Sequence, residues 1–250
     1  MSPELTFLPG VPSNHVLHRL REAGGNEVGS GKLINPESSA ALAVNTFGWF
    51  VERPGQLPPI AGLSNAGVPT MVDVEFCARF PWSGGRHPWL DAVVETDTHL
   101  VGVESKRYEP YRDRKTVALS TAYDRPVWGD EMATYQRLRD TLRSGEVSYR
   151  YLEAAQLLKH AFGLVTEARR RSRTPVLLYL YAEPKQLAGK VIVRSVFRDH
   201  RAEISDFAMR VDGAAVQFIA TSYREWLDSW AGVGGPVAAH AKALIERFEL

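Results

Sequence analysis

Apolar and polar residues alternate strictly over Met71–Cys77, where Val72, Val74 and Phe76 are set against Asp73 and Glu75. A period of two predicts a strand with one buried face. Two further apolar stretches, residues 90–95 and 100–106, flank Asp97-Thr98 and read as a hairpin folded about that pair. The predicted register sets Thr96 against His99, Val94 against Val101 and Ala92 against Val103. Residues 175–182 form a continuous apolar run, as in a strand buried on both faces, and residues 215–220 read as another strand. Helical spacing takes over elsewhere. Ala40, Val44, Phe47 and Val51 recur on one face behind Asn35-Pro36-Glu37, read as cap, first-turn proline and first-turn acid. Tyr151, Ala154, Ala155, Leu158, Ala161, Phe162 and Val165 mark a packed amphipathic helix over residues 151–171. Shorter helices are predicted at 16–23, 130–143, 203–211, 222–230 and 237–248.

The hairpin register has a chemical consequence. Cross-strand partners share a face, so Asp91 falls opposite Glu104, with Lys106 two residues on along the same face. Like charges directly opposed on a sheet are destabilising, and a cation between them resolves the conflict. The pattern therefore points to a divalent metal held by Asp91 and Glu104, with Lys106 beside it. A solvated salt-bridge cluster on a wet sheet face, worth about 0–1 kcal/mol, is the competing reading. If the loop of residues 81–88 is centred near Ser83, Glu75 pairs with Asp91 and becomes a third acidic candidate. A one-residue slip would turn it to the other face.

Asp91 and Glu104-Ser105-Lys106 resemble the PD-(D/E)xK nuclease superfamily, the restriction-endonuclease-like fold. Leu90 stands where that family has its proline, which is not a ligand. The element order is helix, three antiparallel strands, helix, strand, helix, strand. It is similar to the superfamily's αβββαβ core over roughly residues 35–220, with a mixed central sheet flanked by helices in an α/β (α+β) fold. The segment Ser38-Ser39-Ala40-Ala41-Leu42-Ala43-Val44-Asn45 is also similar to a group of bacterial restriction-endonuclease-like proteins. The resemblance implies Mg²⁺-dependent phosphodiester hydrolysis, with Mn²⁺ as a substitute, on DNA, RNA not being excluded. Asp91, Glu104 and Lys106 would be the catalytic residues. Asp91 and Glu104, joined by the backbone carbonyl of Ser105 and by Glu75, would be the metal ligands, since Mg²⁺ takes oxygen donors and needs only one or two carboxylates. Related nucleases place a polar residue of the following helix near the metal, and Gln156 is the candidate here. A non-catalytic nucleic-acid-binding or scaffolding domain on the same fold is the alternative.

Immediately after Lys106, basic and aromatic residues interleave: Arg107, Tyr108, Arg112, Arg114 and Lys115 could contact phosphates and bases. Glu109 and Asp113 within the run equally allow a solvated, self-neutralised loop. Residues 1–34 read as an N-terminal extension. Residues 35–250 read as the nuclease-like domain, with an insertion at about 107–149. Gly29-Ser30-Gly31-Lys32 is not a phosphate loop, because Leu33 occupies the Ser/Thr position and Asn26 that of the first glycine.

Composition narrows the setting. The 250-residue chain carries a net charge of +1, so nucleic-acid binding must rest on local patches. One cysteine, Cys77, excludes an intramolecular disulfide and reads as a packed thiol. No signal-peptide pattern opens the chain, and no run approaches the ~20 apolar residues of a membrane span. A cytoplasmic location is expected; double-strand cutting, which requires two sites, would allow a homodimer, and a part in a larger defence or repair complex is a rival reading. The seven histidines show no metal-ligand spacing and read as surface residues.

Overall fold

The computed structural model describes residues 7–25, 29, 31–35, 37–63 and 65–250. In chain order its elements are α1 (Ser13–Glu22), α2 (Ser39–Gly48), β1 (Met71–Cys77), β2 (Trp89–Glu95) and β3 (His99–Lys106). A short α3 (Glu109–Arg112), then α4 (Ala133–Ser144), α5 (Ala154–Arg171) and β4 (Thr174–Tyr181) follow. The ribbon β5 (Gln186–Leu187) and β6 (Lys190–Val191) precedes α6 (Arg194–Val211), β7 (Gln217–Ser222), α7 (Tyr223–Trp230) and α8 (Gly235–Phe248).

Five strands form one mixed sheet in the order β1-β2-β3-β4-β7. β1, β2 and β3 are antiparallel neighbours, joined by loops at the edge. The β3–β4 and β4–β7 pairs are parallel, and each needs a crossover, supplied by α5 and α6. Helices cover both faces, giving the restriction-endonuclease-like α+β arrangement. On one face α1, α2, α7 and α8 pack over Val72, Val74, Ala92, Val94, Val101 and Val103. On the other, α4, α5 and α6 cover Val93, Leu100, Leu177 and Tyr179. Being central, β4 is buried from Pro175 onward, as its unbroken apolar run requires.

Two segments read as additions are built into these cores. Val16 and Leu20 of α1 are buried in the first. Trp128, Tyr135 and Leu138, from the stretch between β3 and α5, are buried in the second. Two close approaches seat α5 on the sheet. A Cβ on Gly102 would lie 2.6 Å from Leu90 and 3.2 Å from Leu164 of α5, and one on Gly163 would lie 2.4 Å from the Ala78 carbonyl oxygen. Glycine at both positions lets the helix descend onto β3.

The hairpin register is the expected one: Val94 pairs with Val101 and Ala92 with Val103, and the Thr96 N–H donates to the His99 carbonyl. β1 and β2 also pair as though centred on residue 83, with Val74 opposite Ala92 and Phe76 opposite Leu90. Strict alternation nevertheless breaks there. Glu75 has a φ of 54°, and beyond it Phe76 and Leu90 face the α5 layer, whereas Val74 and Ala92 face the α2 layer.

Other expectations need correction. The helix expected behind Asn35 starts at Ser39, capped by Ser38, whose hydroxyl accepts from the Ala41 N–H. Asn35 instead accepts from the Glu37 N–H in the turn before it. Pro36 lies outside the described residues, as do residues 26 and 30 of the glycine-rich stretch and residues 1–6. The helix ends at Gly48, so Val51 lies beyond it. α6 begins nine residues before the predicted start, because its first turns carry few apolar residues. Cys77 is half-buried, and burial raises its thiol. His160, His200 and His240 are core residues. His200 contacts the Tyr179 hydroxyl, and His240 the Asn45 carbonyl and the Trp49 ring. No helix among the described residues is long and apolar enough to cross a membrane.

Candidate active site

The site lies where β2 begins and β3 ends, an arrangement dictated by the hairpin register. The backbone ladder runs as far as Ala92–Val103; at the next position the Asp91 side chain replaces it, its Oδ2 accepting from the Ser105 N–H at 2.6 Å. Ser105 therefore turns its backbone toward Asp91. Neighbouring residues of a strand turn theirs to opposite sides, and the Lys106 carbonyl accepts from Ala182 at the end of β4. The Ser105 hydroxyl bonds the buried Tyr223 hydroxyl at 2.7 Å, pinning the strand end to α7.

Glu104 and Lys106 point toward the α5 side. Both are buried, and the Lys106 Nζ lies 2.5 Å from Glu104 Oε1. The other oxygen, Glu104 Oε2, lies 3.3 Å from His160 Nε2 on α5. Glu153, just before α5, is 3.7 Å from the Lys106 ammonium and 3.4 Å from that of Lys115. Glu109 closes the α2 side: it accepts from the Arg107 N–H at 2.9 Å and from the Ser39 hydroxyl.

Charge in this cluster is unbalanced. Asp91, Glu104, Glu109 and Glu153 surround two ammonium groups, those of Lys106 and Lys115. Burial, then the Glu104 charge, pushes the Asp91 carboxyl up to about 8. Burial likewise raises Glu104, against the pull of Lys106. Burial alone would lower Lys106, but Glu104, Glu153, Asp91 and Glu109 outweigh it and hold the ammonium above the ordinary lysine range. His160 is pushed down to about 3 by burial and then by Lys106, so it is a neutral imidazole; its Nδ1 is buried without a hydrogen-bond partner.

Two cavities open on the cluster. One, of about 410 Å³, is lined by Glu75, Asp91, Glu109 and Arg112. The other, of about 390 Å³, is lined by Arg114, Glu153, Gln156, Lys159 and His160. Trp89 lines both.

The residues singled out from the sequence divide accordingly. Asp91, Ser105, Glu104 and Lys106 come together, and Gln156 lines the second cavity. Glu75 lines the first cavity with Asp91, while its carbonyl accepts from Arg19. Among the described residues no group of three His, Cys, Asp or Glu side chains is arranged to hold a metal. Arg107 is buried, with a guanidinium N–H donating to the Phe248 carbonyl and its plane over the rings of Tyr108 and Phe248. That places it away from the cavities. Arg112 pairs with Asp113 and Glu37, whereas Arg114 is exposed at the second cavity. The arginines that end α5 pair with Glu131, Glu167 and Glu95.

Sequence reasoning missed His160, Glu153, Glu109 and Trp89. His160 carried one legible signal: it follows Gln156 by four residues and so shares its helix face. Glu109, three residues after Lys106 at the start of α3, read only as a charge that neutralises its own run, and nothing local marked Glu153, which reaches the cluster from just before α5.

Comparison with curated proteins and with solved structures gives no match. A family model does match, over residues 8–249 and so almost the whole chain, and the protein therefore belongs to the family described as restriction endonuclease associating with ARP.

Proposed function

We propose that the protein is a metal-dependent endonuclease of the PD-(D/E)xK type that hydrolyses phosphodiester bonds in DNA, with Asp91, Glu104 and Lys106 at its centre. The observation that carries this reading is the geometry at the hairpin's end: Asp91 beside the Ser105 N–H, and Glu104 in contact with Lys106 on the adjacent strand. The donor set suits Mg²⁺ or Mn²⁺, because all the candidate ligands are oxygens. Two carboxylates crowded in low dielectric favour a divalent cation, which would offset the excess negative charge. Asp91 and Glu104 would hold the ion, with the Ser105 carbonyl on the same side as Asp91.

When bound, such an ion supplies a polarised phosphate and a water of lowered pKa. The chain's residues do the rest. Lys106, an ammonium, donates toward charge that develops on the phosphate oxygens. Its carboxylate neighbours hold it in that protonation state. His160 and Lys106 contact opposite oxygens of Glu104 and fix its orientation, as supporting groups do for metal ligands. Tyr223 and Ser105 anchor the strand end, so the two carboxylates keep their spacing.

The family's restriction endonucleases are described as associating with ARP; an associating partner therefore belongs to the proposal, as does DNA. A non-catalytic DNA-binding domain with this fold is the alternative. Incubating supercoiled DNA, linear DNA and RNA with the protein in Mg²⁺, Mn²⁺ or chelator, beside Glu104→Gln, tests the choice. Metal-dependent DNA cutting that the variant lacks is the expected result. No cutting, together with no calorimetric Mn²⁺ binding, would defeat the enzyme reading.

A further inference from the structure

Of the six tryptophans, five pack against other rings. Trp49 meets Phe50 and His240, Trp82 meets Trp128, and Trp226 meets Trp230. Trp89 differs. Among the described residues it makes no ring–ring or cation–ring contact and no side-chain hydrogen bond. It is half-buried and stands two residues before Asp91 in a wall shared by both cavities. Its indole thus lines both cavities without a ring or hydrogen-bond partner among the described residues, two residues from Asp91.

The charges around it differ between the cavities. The first carries three carboxylates, Asp91, Glu75 and Glu109, with Arg112. The second carries Arg114 and Lys159 with the single carboxylate of Glu153, which is itself engaged by Lys106 and Lys115; neither Arg114 nor Lys159 forms an ion pair among the described residues. The other basic residues near the site are already engaged: Arg112 by Asp113 and Glu37, Lys115 by Glu153, and Arg107 by the Phe248 carbonyl. Unpaired cations lining a cleft, with an unpartnered aromatic ring at its wall, are the two elements that bind single-stranded nucleic acid: cations for the backbone and a ring for the base.

Resting on the nuclease reading of the same site, we infer that the second cavity is a nucleotide subsite, in which Trp89 stacks on a base and Arg114 and Lys159 hold the adjoining phosphates. The substrate class follows from stacking geometry. A base inside a duplex has both faces covered by its neighbours, so a ring set in the cavity wall can stack only on a base that has left the helix. The preferred substrate is therefore a single strand, or an unpaired nucleotide next to the scissile phosphate. The backbone then crosses from Arg114 and Lys159 past Trp89 to Asp91 and Glu104.

Fluorescence anisotropy of a labelled single-stranded oligonucleotide and its duplex tests this, in EDTA so that nothing is cut. The proteins are wild type, Trp89→Ala, Trp89→Phe and the double variant Arg114→Ser/Lys159→Ser. Wild type should bind the single strand more tightly than the duplex. Trp89→Ala should weaken single-strand binding by about tenfold or more, whereas Trp89→Phe should retain most of it, since a smaller ring still stacks. The double variant should lower the slope of log affinity against log salt by about 1.4, roughly 0.7 for each lost phosphate contact on a single strand. Unchanged binding by Trp89→Ala, equal losses for Ala and Phe, or an unaltered salt slope would overturn the inference. The two readings separate cleanly. Trp89-dependent binding with neither cutting nor calorimetric Mn²⁺ binding supports the subsite and defeats the hydrolysis reading. Cutting with Trp89-independent binding does the reverse.

Discussion

Replacing Asp91 by asparagine should make the metal-free protein more stable at pH 8, and the sign separates a metal site from a structural ion pair. The buried Asp91 carboxyl, beside Glu104, is pushed up from 3.8 to about 8. A group whose folded pKa is raised contributes stability below its unfolded pKa and loses it as pH rises through the folded value. Wild type without metal should therefore lose stability between about pH 4 and pH 8. A displacement of about four units, at about 1.36 kcal/mol each, sets a ceiling near 5–6 kcal/mol. The asparagine side chain is neutral and keeps an oxygen to accept from the Ser105 N–H, so the variant avoids that loss. Because the site relaxes around the ionised carboxylate, about 1–3 kcal/mol should be recovered at pH 8. In a chain of this size that corresponds to a Tm higher by roughly 2–12 °C. The measurement is thermal unfolding in EDTA across pH 4 to 8, repeated with Mn²⁺. The gap should close toward pH 4, and Mn²⁺ should stabilise wild type but not the variant. An Asp91→Asn protein less stable than wild type at pH 8 in EDTA, or a gap independent of pH, would refute the reasoning.

Removing the ammonium should act in the opposite direction: Lys106→Ala leaves Glu104 buried without its 2.5 Å partner, and urea unfolding should show a loss of about 3–5 kcal/mol. Gly163→Ala should destabilise by about 1–3 kcal/mol in the same assay despite alanine's better helix propensity, because the added Cβ meets the backbone oxygen of Ala78, which cannot swing aside. Ser222→Ala removes the capping box that starts α7, behind Tyr223, and should lower stability by about 0.5–2 kcal/mol; Ser222→Asn should restore most of it.

Much of the frame was legible along the chain because its physics is local. Alternation over Met71–Cys77 and around Asp97-Thr98 determined three strands and their register, since a one-residue slip would have turned Val94 and Val101 out of the core. That register brought Asp91 to the end of β3, where its side chain meets the Ser105 N–H instead of forming the expected cross-strand pair with Glu104. The helical stripe of α5 and the apolar run of β4 were equally plain, as each buries the face its spacing marks. What lay beyond the sequence depends on contacts between distant segments. Glu75 sits at positive φ, where β1 and β2 change which face they bury, so alternation could not carry through it. Arg107 looks like a surface cation in its own run of residues, and only the docking of α8 turns it toward Phe248. His160 acquires its place from the approach of α5 to β3 through Gly102 and Gly163, and Glu153 reaches Lys106 only once α5 has docked. The sequence by itself determined the strands, their register and the pair of carboxylates. The tertiary structure decided their electrostatics, because burial and the approach of Glu153 and α5, unlike periodicity, exist only after the layers have packed.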